Sequence, residues 1–451
     1  MMRRAILQAH QLLTGRKILH RFDELMQTQW LSWDELYALQ QERLYRLVDY
    51  AYRYVPYYQR VFREIDFHPL DLRRDPANFY RLPLLTKEEI RANWDQFLTT
   101  EPQVRRQMVS RSTSGSTGEP FVFLVDHQHR DYTTADYMRH LTWCGWQIGT
   151  PYTYMAGQKL DASLKERLRN SLMNFTLNFS EVDAYDLVDE SLDSLVRQLR
   201  RRGRGILGGF PSALYVLARF VQESGVERPD LLAVRCGGEV LFPKQRRLIE
   251  ETFGCRVFNW YGSYETGGGA ACECEAHTGL HVSMEKCLLE ILRQGRPVEG
   301  EESGEVVVTN LINFDFPFIR YRLKDEARWL VRECPCGRQS PMIAPVTGRT
   351  VELFRTVDGR VVVSDINEFL FEAEGVRQFQ IVQKALDLIV VRIVRDERFD
   401  PASLDKITGI IQQVMGRQTQ VKFEFPDEIP AGRTGKQKYS YSELEGSQPW
   451  E

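Results

Sequence analysis

The feature that most constrains the fold is an alternation of amphipathic helical segments with short apolar runs in the middle of the chain. Apolar residues at helical spacing, bounded by proline at the start or glycine at the end, mark segments 191–202, 211–223 and 243–254. The short apolar runs are 233–236, 256–258 and 305–308. Strands that alternate with helices predict an α/β domain with a substantially parallel sheet. Polar residues that follow such strands are candidate ligand-binding residues, because ligands bind beyond the carboxyl ends of the strands.

The chain is long enough for more than one domain, and the pattern of predicted strands and helices changes near Gly348 and Arg349. It has 451 residues, 43% of them apolar, which suffices for a sizeable core. The last hundred residues carry strand and helix patterns of their own, enough for a small α+β domain. We therefore predict an N-terminal domain over 1–348 and a C-terminal domain over 349–451.

Charge and hydropathy exclude several classes of protein. The net charge of −3 and the lack of a long basic block give no reason to expect a nucleic-acid partner. No apolar run approaches the ~18 residues of a membrane span, and eight cysteines in so long a chain do not suggest a secreted disulfide framework. We expect a cytoplasmic protein, a monomer or a homodimer. The mildly amphipathic segment before Asp23 is interpreted as a packed helix, with a transit peptide or a membrane-surface helix as alternatives.

A loop rich in serine, threonine and glycine, 110–120, separates two strand-like segments. Its centre is Ser114, Gly115, Ser116, Thr117 and Gly118. Many free backbone N–H groups and hydroxyls, with no bulky side chain, suit the binding of polyphosphate oxygens. It is not a Walker loop, since no Gly-Lys-Ser/Thr follows and the next segment has the pattern of a strand. Taken alone, such a loop is also typical of an ordinary hairpin turn.

Four further polar sites follow in order along the chain. They are Cys236-Gly-Gly-Glu239, Tyr261-Gly-Ser-Tyr-Glu265, Ile319-Arg-Tyr-Arg-Leu-Lys-Asp325 and the glycine-rich basic loop 430–438 with Lys436. Each has a simpler explanation when considered alone. Glu265 could lie in a solvated turn, Asp325 could pair with Arg320 or Arg322, and Lys436 could be a surface residue.

In sequence and in their order along the chain, these five sites resemble the motifs of the phenylacetate–CoA ligase family, which belongs to the adenylate-forming superfamily. Two N-terminal runs, Tyr50-Ala-Tyr-Arg-Tyr-Val-Pro-Tyr-Tyr and Leu82-Pro-Leu-Leu-Thr-Lys, are similar to the branch with coenzyme F₃₉₀ synthetase and CapK-like proteins. The resemblance begins near residue 40 and covers nearly all of the remaining chain. It implies a large N-terminal adenylation domain with mixed and parallel sheets, followed by a small, mobile α+β domain.

The resemblance also implies roles for individual residues. It assigns the ATP phosphates to Ser114, Gly115, Ser116, Thr117 and Gly118, the region flanking adenine to Gly238 and Glu239, and stacking on the base to Tyr261. Glu265 matches the Mg²⁺ carboxylate, Asp325 the carboxylate on the ribose hydroxyls, and Lys436 the catalytic lysine of the mobile domain. Further nucleotide-binding positions are Gly262, Tyr264 and Arg349.

The implied reaction is the ATP-dependent adenylation of an organic acid, aromatic acids included, and transfer of the acyl group to CoA. Two alternatives stay open: an amine or hydroxyl acceptor, as in polysaccharide or secondary-metabolite biosynthesis, and a degenerate nucleotide-binding protein without activity. Three departures from the family pattern bear on them. Glu119 stands where a lysine is usual, Tyr264 where a small hydroxyl is usual, and Val351 at the hinge. We expect residues 208–212 and Trp260 near the acyl group.

Two clusters of soft ligands predict a structural zinc site. Cys272-Glu-Cys-Glu-Ala-His277 and Cys334-Pro-Cys-Gly337 supply enough thiols and imidazoles for a closed tetrahedral site. The predicted ligands are Cys274, His277, Cys334 and Cys336, with Cys272 and His281 in reserve. Relatives with the Cys-Pro-Cys-Gly run support this interpretation, and reduced thiols in a turn are the alternative.

Overall fold

The computed structural model describes residues 2–101, 108–113, 121–156, 174–183, 189–346, 353–358, 361–363, 370, 373–430 and 439–444. In these ranges none of the helices is long and apolar enough to cross a membrane. The α-helices are α1 (Met2–Thr14), α2 (Ile18–Thr28), α3 (Trp33–Tyr54), α4 (Pro56–Glu64), α5 (Leu70–Arg74), α6 (Lys87–Ala92), α7 (His127–Trp143), α8 (Asp189–Arg202), α9 (Pro211–Ser224), α10 (Pro243–Phe253) and α11 (Ser403–Met415).

The strands are β1 (Val109–Thr113), β2 (Phe121–Val125), β3 (Tyr152–Ala156), β4 (Phe179–Asp183), β5 (Gly205–Gly209), β6 (Leu231–Gly237), β7 (Val257–Ser263), β8 (Gly268–Glu273), β9 (Leu280–Val282), β10 (Cys287–Arg293), β11 (Arg296–Pro297), β12 (Ser303–Asn310), β13 (Tyr321–Leu330), β14 (Met342–Ile343), β15 (Leu353–Arg355), β16 (Val361–Val363), β17 (Val376–Ala385), β18 (Leu388–Arg395), β19 (Gln420–Glu424) and β20 (Ser440–Ser442). The helices and strands predicted between residues 191 and 308 are thus confirmed.

A twelve-stranded sheet forms the body of the molecule, in the order β11-β10-β12-β13-β14-β9-β8-β7-β6-β5-β3-β4. The strands from β4 to β7 pair in parallel, and the strands on the other side of β7 pair antiparallel. The predicted α/β fold class is confirmed, with the parallel arrangement confined to one half. The change of direction occurs at β7, the strand that carries Tyr261.

Helices cover both faces of the parallel half, which explains why its strands are apolar throughout. On one face, Leu195 of α8, Leu217 of α9 and Ile249 of α10 pack against β6. On the other face, Ala135 and Met138 of α7 pack against β5, β6 and β7. Strand β5 is buried along its whole length between these two layers.

A second, four-stranded sheet in the order β19-β18-β17-β20 forms with α11 a small α+β unit. Ile407 and Ile411 of α11 share its core with Ile381 and Ile393 of the sheet. The domain boundary at residue 348 stays a prediction, because residues 347–352 lie outside the described ranges. The helix that the sequence predicts near 366–374 lies largely outside them too.

The buried carboxyl group of Asp315 should make the stability of the protein depend on pH. The residue is 1% exposed, and its Oδ2 has no hydrogen-bond partner among the described residues. Burial and the nearby Asp126 raise its pKa to about 8. Because the folded state then holds the proton more tightly than the unfolded state, wild-type stability should fall as the pH rises from about 4 to 8.

We expect Asp315→Asn to flatten this dependence and to exceed the wild type in free energy of unfolding at pH 8 by about 1–3 kcal/mol, because the neutral amide avoids the burial of a carboxylate charge near Asp126. Urea unfolding of both proteins between pH 5 and 8.5 measures it. Parallel pH profiles of the two proteins would contradict the prediction.

Candidate active site and metal-ligand cluster

Two parallel strands bring two of the predicted sites to one edge of the sheet. β6 and β7 pair with Gly237 opposite Trp260, so the residues that follow each of them emerge side by side. A Cβ at Gly237 would lie 2.4 Å from the backbone oxygen of Trp260, so a side chain there would force the strands apart. Gly238 has a φ of +81°, a backbone conformation that favours glycine.

Tyr261 and Asp325 are hydrogen-bonded across the site. The Tyr261 hydroxyl donates to Oδ2 of Asp325 at 2.7 Å, although the two residues are 64 positions apart in sequence. The structure thus brings together two residues that the resemblance assigns to one nucleotide.

The two arginines that the sequence offered as partners for Asp325 have glutamate partners. Arg320 contacts Glu290 at 2.9 Å, and Arg322 contacts Glu305 at 2.8 Å. Both pairs are largely buried: the first joins the residue before β13 to β10, and the second joins β13 to β12. The hydrogen bond from Tyr261 therefore accounts for the position of Asp325 better than the ion pair considered from the sequence.

Glu265 lies in a tight, internally hydrogen-bonded turn between β7 and β8. The Ser263 N–H donates to Oγ1 of Thr266 at 2.9 Å, and the Thr266 hydroxyl donates to the Ser263 carbonyl at 2.8 Å. Asn310 donates to the Glu265 carbonyl at 2.8 Å. Glu265 is only 8% exposed, which argues against a solvated turn carboxylate.

Glycines make the close packing of this turn feasible. A Cβ at Gly262 would lie 2.1 Å from the carbonyl oxygen of Gly268, so β7 and β8 could not approach as they do. Tyr264, by contrast, is 61% exposed. Its phenol extends toward solvent, where the family pattern has a small hydroxyl.

The carboxylate of Glu239 contacts the N-terminus of a neighbouring helix. Its Oε2 accepts a hydrogen bond from the backbone N–H of Ser212 at 3.1 Å, in the first turn of α9. A negative charge at this end of a helix is stabilised by the helix dipole. Glu239 therefore fixes the segment 208–212, which the sequence places near the acyl group, against the end of β6.

Three groups of predicted residues cannot be located. The phosphate-loop residues Ser114, Gly115, Ser116, Thr117 and Gly118, as well as Arg349 and Lys436, lie outside the described ranges. The strands that flank the phosphate loop are described. β1 and β2 pair antiparallel, with Thr113 opposite Phe121, so the strand predicted after the loop is confirmed.

Sequence reasoning missed a buried ion network behind the Glu265 turn. Lys286 is 1% exposed and contacts Oδ2 of Asp136 at 2.5 Å. It also donates to the carbonyl of Gly269 and, at 3.2 Å, to that of Gly267. The network ties α7 to the glycine run that follows Glu265. The sequence contained no signal for it, because single charged residues in helices and strands are usually exposed.

The soft ligands form a cluster with one change from the prediction. Cys274, His281, Cys334 and Cys336 bring their ligand atoms within 4.8 Å of one another. His277, the histidine predicted from the sequence, lies outside this cluster. Nδ1 of His277 lies 3.5 Å from a Glu273 oxygen, and its ring centroid lies 4.4 Å from that of Phe258. β9 instead carries the reserve candidate His281 into the cluster.

The donor set and its surroundings fit a zinc ion. Three thiols and one imidazole form a closed structural set. Sγ of Cys274 lies 3.5 Å from Sγ of Cys334, and Sγ of Cys336 lies 3.4 Å from Nε2 of His281. Nδ1 of His281 lies 3.1 Å from Oγ of Ser340, a contact of the kind that orients a metal-binding imidazole. The Ala276 and Arg338 amides donate to Sγ of Cys274 and of Cys336, both at 3.4 Å.

The architecture described above matches that of solved structures. A crystal structure of 2-hydroxyisobutyryl-CoA ligase in the postadenylation state superposes with a TM-score of 0.73, covering 92% of this chain and 90% of that chain at 19% identity. The chain therefore has the fold of an adenylate-forming ligase.

Sequence comparisons show which known proteins the chain is similar to. Residues 353–443 match the family described as the CapK C-terminal domain. Protein CapK of Staphylococcus aureus is 23% identical, with 94% of this chain and 93% of that protein covered. The phenylacetate-coenzyme A ligase of Escherichia coli (strain K12) is 28% identical, with 76% of each chain covered. The resemblance predicted from the sequence is confirmed: the chain is similar to CapK and to phenylacetate–CoA ligases.

Proposed function

We propose that this protein activates an organic carboxylate with ATP, forming an acyl-adenylate and pyrophosphate, and then transfers the acyl group to CoA. The observation that carries the proposal is the Tyr261–Asp325 hydrogen bond beside the buried Glu265 turn. It joins residues that the family resemblance assigns to the nucleotide. The similarity to phenylacetate-coenzyme A ligases over 76% of the chain supports the acid and CoA as substrates.

In this mechanism the residues of the chain mainly position groups and balance charge. Asp325, oriented by Tyr261, accepts hydrogen bonds from the ribose hydroxyls, while the loop 114–118 donates to the phosphates. Lys436 supplies a positive charge to the reacting carboxylate and the α-phosphate. Lysine suits a transient contact of this kind, since its ammonium acts as a point charge. Such preorganised contacts supply most of the rate enhancement in reactions that develop charge.

Glu265 fits the chemistry of a Mg²⁺ ligand. Mg²⁺ in nucleotide sites is typically held by one or two carboxylates together with phosphate oxygens. A buried glutamate at a strand end, in a turn fixed by Asn310, offers such a carboxylate. When bound, the ion would neutralise phosphate charge.

A zinc ion held by Cys274, His281, Cys334 and Cys336 would be structural, because four protein ligands leave no open position. The site would tie the segment after the Glu265 turn to the segment after β13.

The small α+β unit contacts the large sheet domain through Tyr439, directly after the loop that contains Lys436. Its ring lies 5.8 Å from that of Phe242, and its hydroxyl accepts from Nε2 of Gln245 at 3.3 Å. We propose that residues 349–451 move as a unit about the boundary near residue 348, with Lys436 close to the acid during adenylation only.

The proposal is tested by ATP–pyrophosphate exchange across a panel of carboxylates, followed by thioester formation with CoA. Exchange that depends on one class of acid, with formation of its CoA thioester, is the expected result. Exchange without a thioester, but with product formed from an added amine or alcohol, would select the other acceptor. Absence of exchange with every acid would contradict the proposed function.

Replacing Lys436 by alanine should separate the two half-reactions. We expect adenylate formation to slow by roughly two to three orders of magnitude, the effect of losing one preorganised contact worth ~2.7–4 kcal/mol. Transfer from a pre-made acyl-adenylate should stay near the wild-type rate. Single-turnover measurement of each half-reaction tests this, with Lys438→Ala as the matched control from the same loop. An equal loss in both half-reactions would indicate a role of Lys436 in the fold.

A further inference from the structure

Polar atoms without partners concentrate between α7 and the strands β6, β7 and β8, directly beside the proposed nucleotide site. The buried side-chain atoms without a hydrogen-bond partner among the described residues include those of His129, Thr133, His140, Arg235 and Trp260. We call this region the α7 seam. Buried polar groups in folded proteins are normally hydrogen-bonded, so the partner of these atoms is a buried water molecule or a polar ligand.

The geometry of the α7 seam follows from one face of a helix and a run of glycines. Residues 129, 133 and 140 lie on the same side of α7. A Cβ at Gly267 would lie 3.1 Å from Nε2 of His129, and one at Gly269 would lie 3.4 Å from Nδ1 of His140. The seam therefore begins two residues after Glu265 and extends toward β6.

Arg235 is the residue in the seam with the greatest need of a partner. It is fully buried, and none of its three guanidinium nitrogens has a hydrogen-bond partner among the described residues. Its Cζ lies 4.4 Å from the ring centroid of Tyr137 and 5.0 Å from that of Trp260. Both aromatic faces attract the cation, but a ring face does not replace the oxygen acceptors that the five N–H donors of a guanidinium require. Burial of a charge whose donors are unpaired is costly, so these contacts do not remove the need for a partner.

In the described part of the chain, no carboxylate contacts the guanidinium of Arg235. The titratable groups that act on it most strongly are Tyr137, Cys272, Tyr152 and Cys144. Burial raises the pKa of the Tyr137 and Tyr152 phenols and of the Cys144 thiol, and it raises the pKa of the Cys272 thiol to about 11, so these four groups are neutral at pH 7.

A nearby arginine gives the contrast. Arg139 of α7 is equally inaccessible, and it contacts carboxylates of Asp136 and Glu285, both at 2.6 Å. The fold thus provides counter-ions for Arg139, whereas the described residues provide none for Arg235.

We propose that Arg235 binds a second carboxylate of the acid that is adenylated, so that the substrate is a short dicarboxylic acid. This inference rests on the proposed function. Arg235 lies two residues before Gly237 at the strand end, about 7 Å along β6 at the usual strand rise of ~3.3 Å per residue. One carboxylate therefore reaches the nucleotide while the other pairs with the planar guanidinium, which matches carboxylate geometry. Aliphatic acids of four or five carbons, and phenylacetate with an ortho carboxylate, have suitable lengths.

The test compares acids that differ only in the second carboxylate. Succinate is compared with butyrate, glutarate with pentanoate, and homophthalate with phenylacetate, each in ATP–pyrophosphate exchange. We expect the best dicarboxylate to exceed its matched monocarboxylate about 100-fold in kcat/KM, near the upper end for a hydrogen bond to a charged group. Arg235→Met should reduce this preference to tenfold or less. Arg235→Lys, which keeps the charge but loses the planar fork, should keep an intermediate preference.

Thermal unfolding without nucleotide distinguishes ligand binding from a structural role of Arg235. Removing an uncompensated buried charge in favour of an apolar side chain of similar volume should leave the Tm of Arg235→Met at or above that of the wild type. The preferred dicarboxylate should raise the Tm of the wild type and not that of Arg235→Met. A strongly lowered Tm in Arg235→Met, with an unchanged preference in Arg235→Lys, would overturn the inference.

The outcomes also separate this inference from the proposed function. If no acid supports exchange but a dicarboxylate stabilises only the wild type, the function fails and the binding inference holds. If monocarboxylates are activated as well as dicarboxylates in the wild type, the function holds and the inference is overturned. If dicarboxylates neither react nor stabilise, the inference is overturned as well.

Discussion

Replacing Glu265 by glutamine is expected to lower the rate of ATP–pyrophosphate exchange by roughly two to three orders of magnitude or more, as for other losses of transition-state charge stabilisation. Glutamine has the same shape, so the 8% exposed side chain can remain in its turn, and Asn310 still donates to the backbone carbonyl. What is lost is the negative charge that suits a Mg²⁺ ligand. The variant should therefore need a higher Mg²⁺ concentration to bind a fluorescent ATP analogue, a readout that does not depend on turnover.

The matched control is Glu251→Gln, the same chemical change on an exposed position of α10. It should leave exchange, the Mg²⁺ requirement and the Tm unchanged. A Glu265→Gln protein with wild-type exchange would remove Glu265 from the active site. A variant that loses activity and Tm together would instead point to a structural glutamate in the turn.

Removing His281 should release zinc from the protein, whereas removing His277 should not. We expect about one zinc per chain in freshly purified protein, retained in His277→Ala and lost in His281→Ala and in Cys336→Ser. The reason is geometric: only His281 lies with the three thiols, while His277 contacts Glu273 and Phe258. Because zinc binding is coupled directly to folding, loss of the ion should also lower the Tm, by roughly 5 °C or more for ~2–3 kcal/mol.

Metal analysis together with thermal unfolding of these variants measures both effects. Cys272→Ser is a second control, since Cys272 is a buried thiol two residues from Cys274 and lies outside the cluster. Loss of zinc from His277→Ala with retention in His281→Ala would restore the assignment made from the sequence. Wild-type protein without zinc would rule the site out.

The contrast between His277 and His281 illustrates what a sequence leaves open. Both histidines follow Cys274 at a spacing that a short metal-binding loop allows, so sequence spacing did not decide between them. Which histidine joins the thiols depends on the local backbone, where His277 has a positive φ, and on the pairing of β9 with β8 and β14, which places His281 in the cluster. Register between strands that are distant in sequence is a tertiary property.

The sequence by itself determined the fold class, the helices and strands around the site, the resemblance to CapK and phenylacetate–CoA ligases, and the order of the candidate residues. It could do so because hydrophobic period, proline and glycine positions, and motif order are local along the chain. Only the tertiary structure brought Asp325 to Tyr261, exchanged His277 for His281, buried Lys286 behind the Glu265 turn and left Arg235 without a counter-ion among the described residues. Each of these depends on which segments meet across the sheet and on what water is excluded there, and neither is encoded in the spacing of residues along the chain.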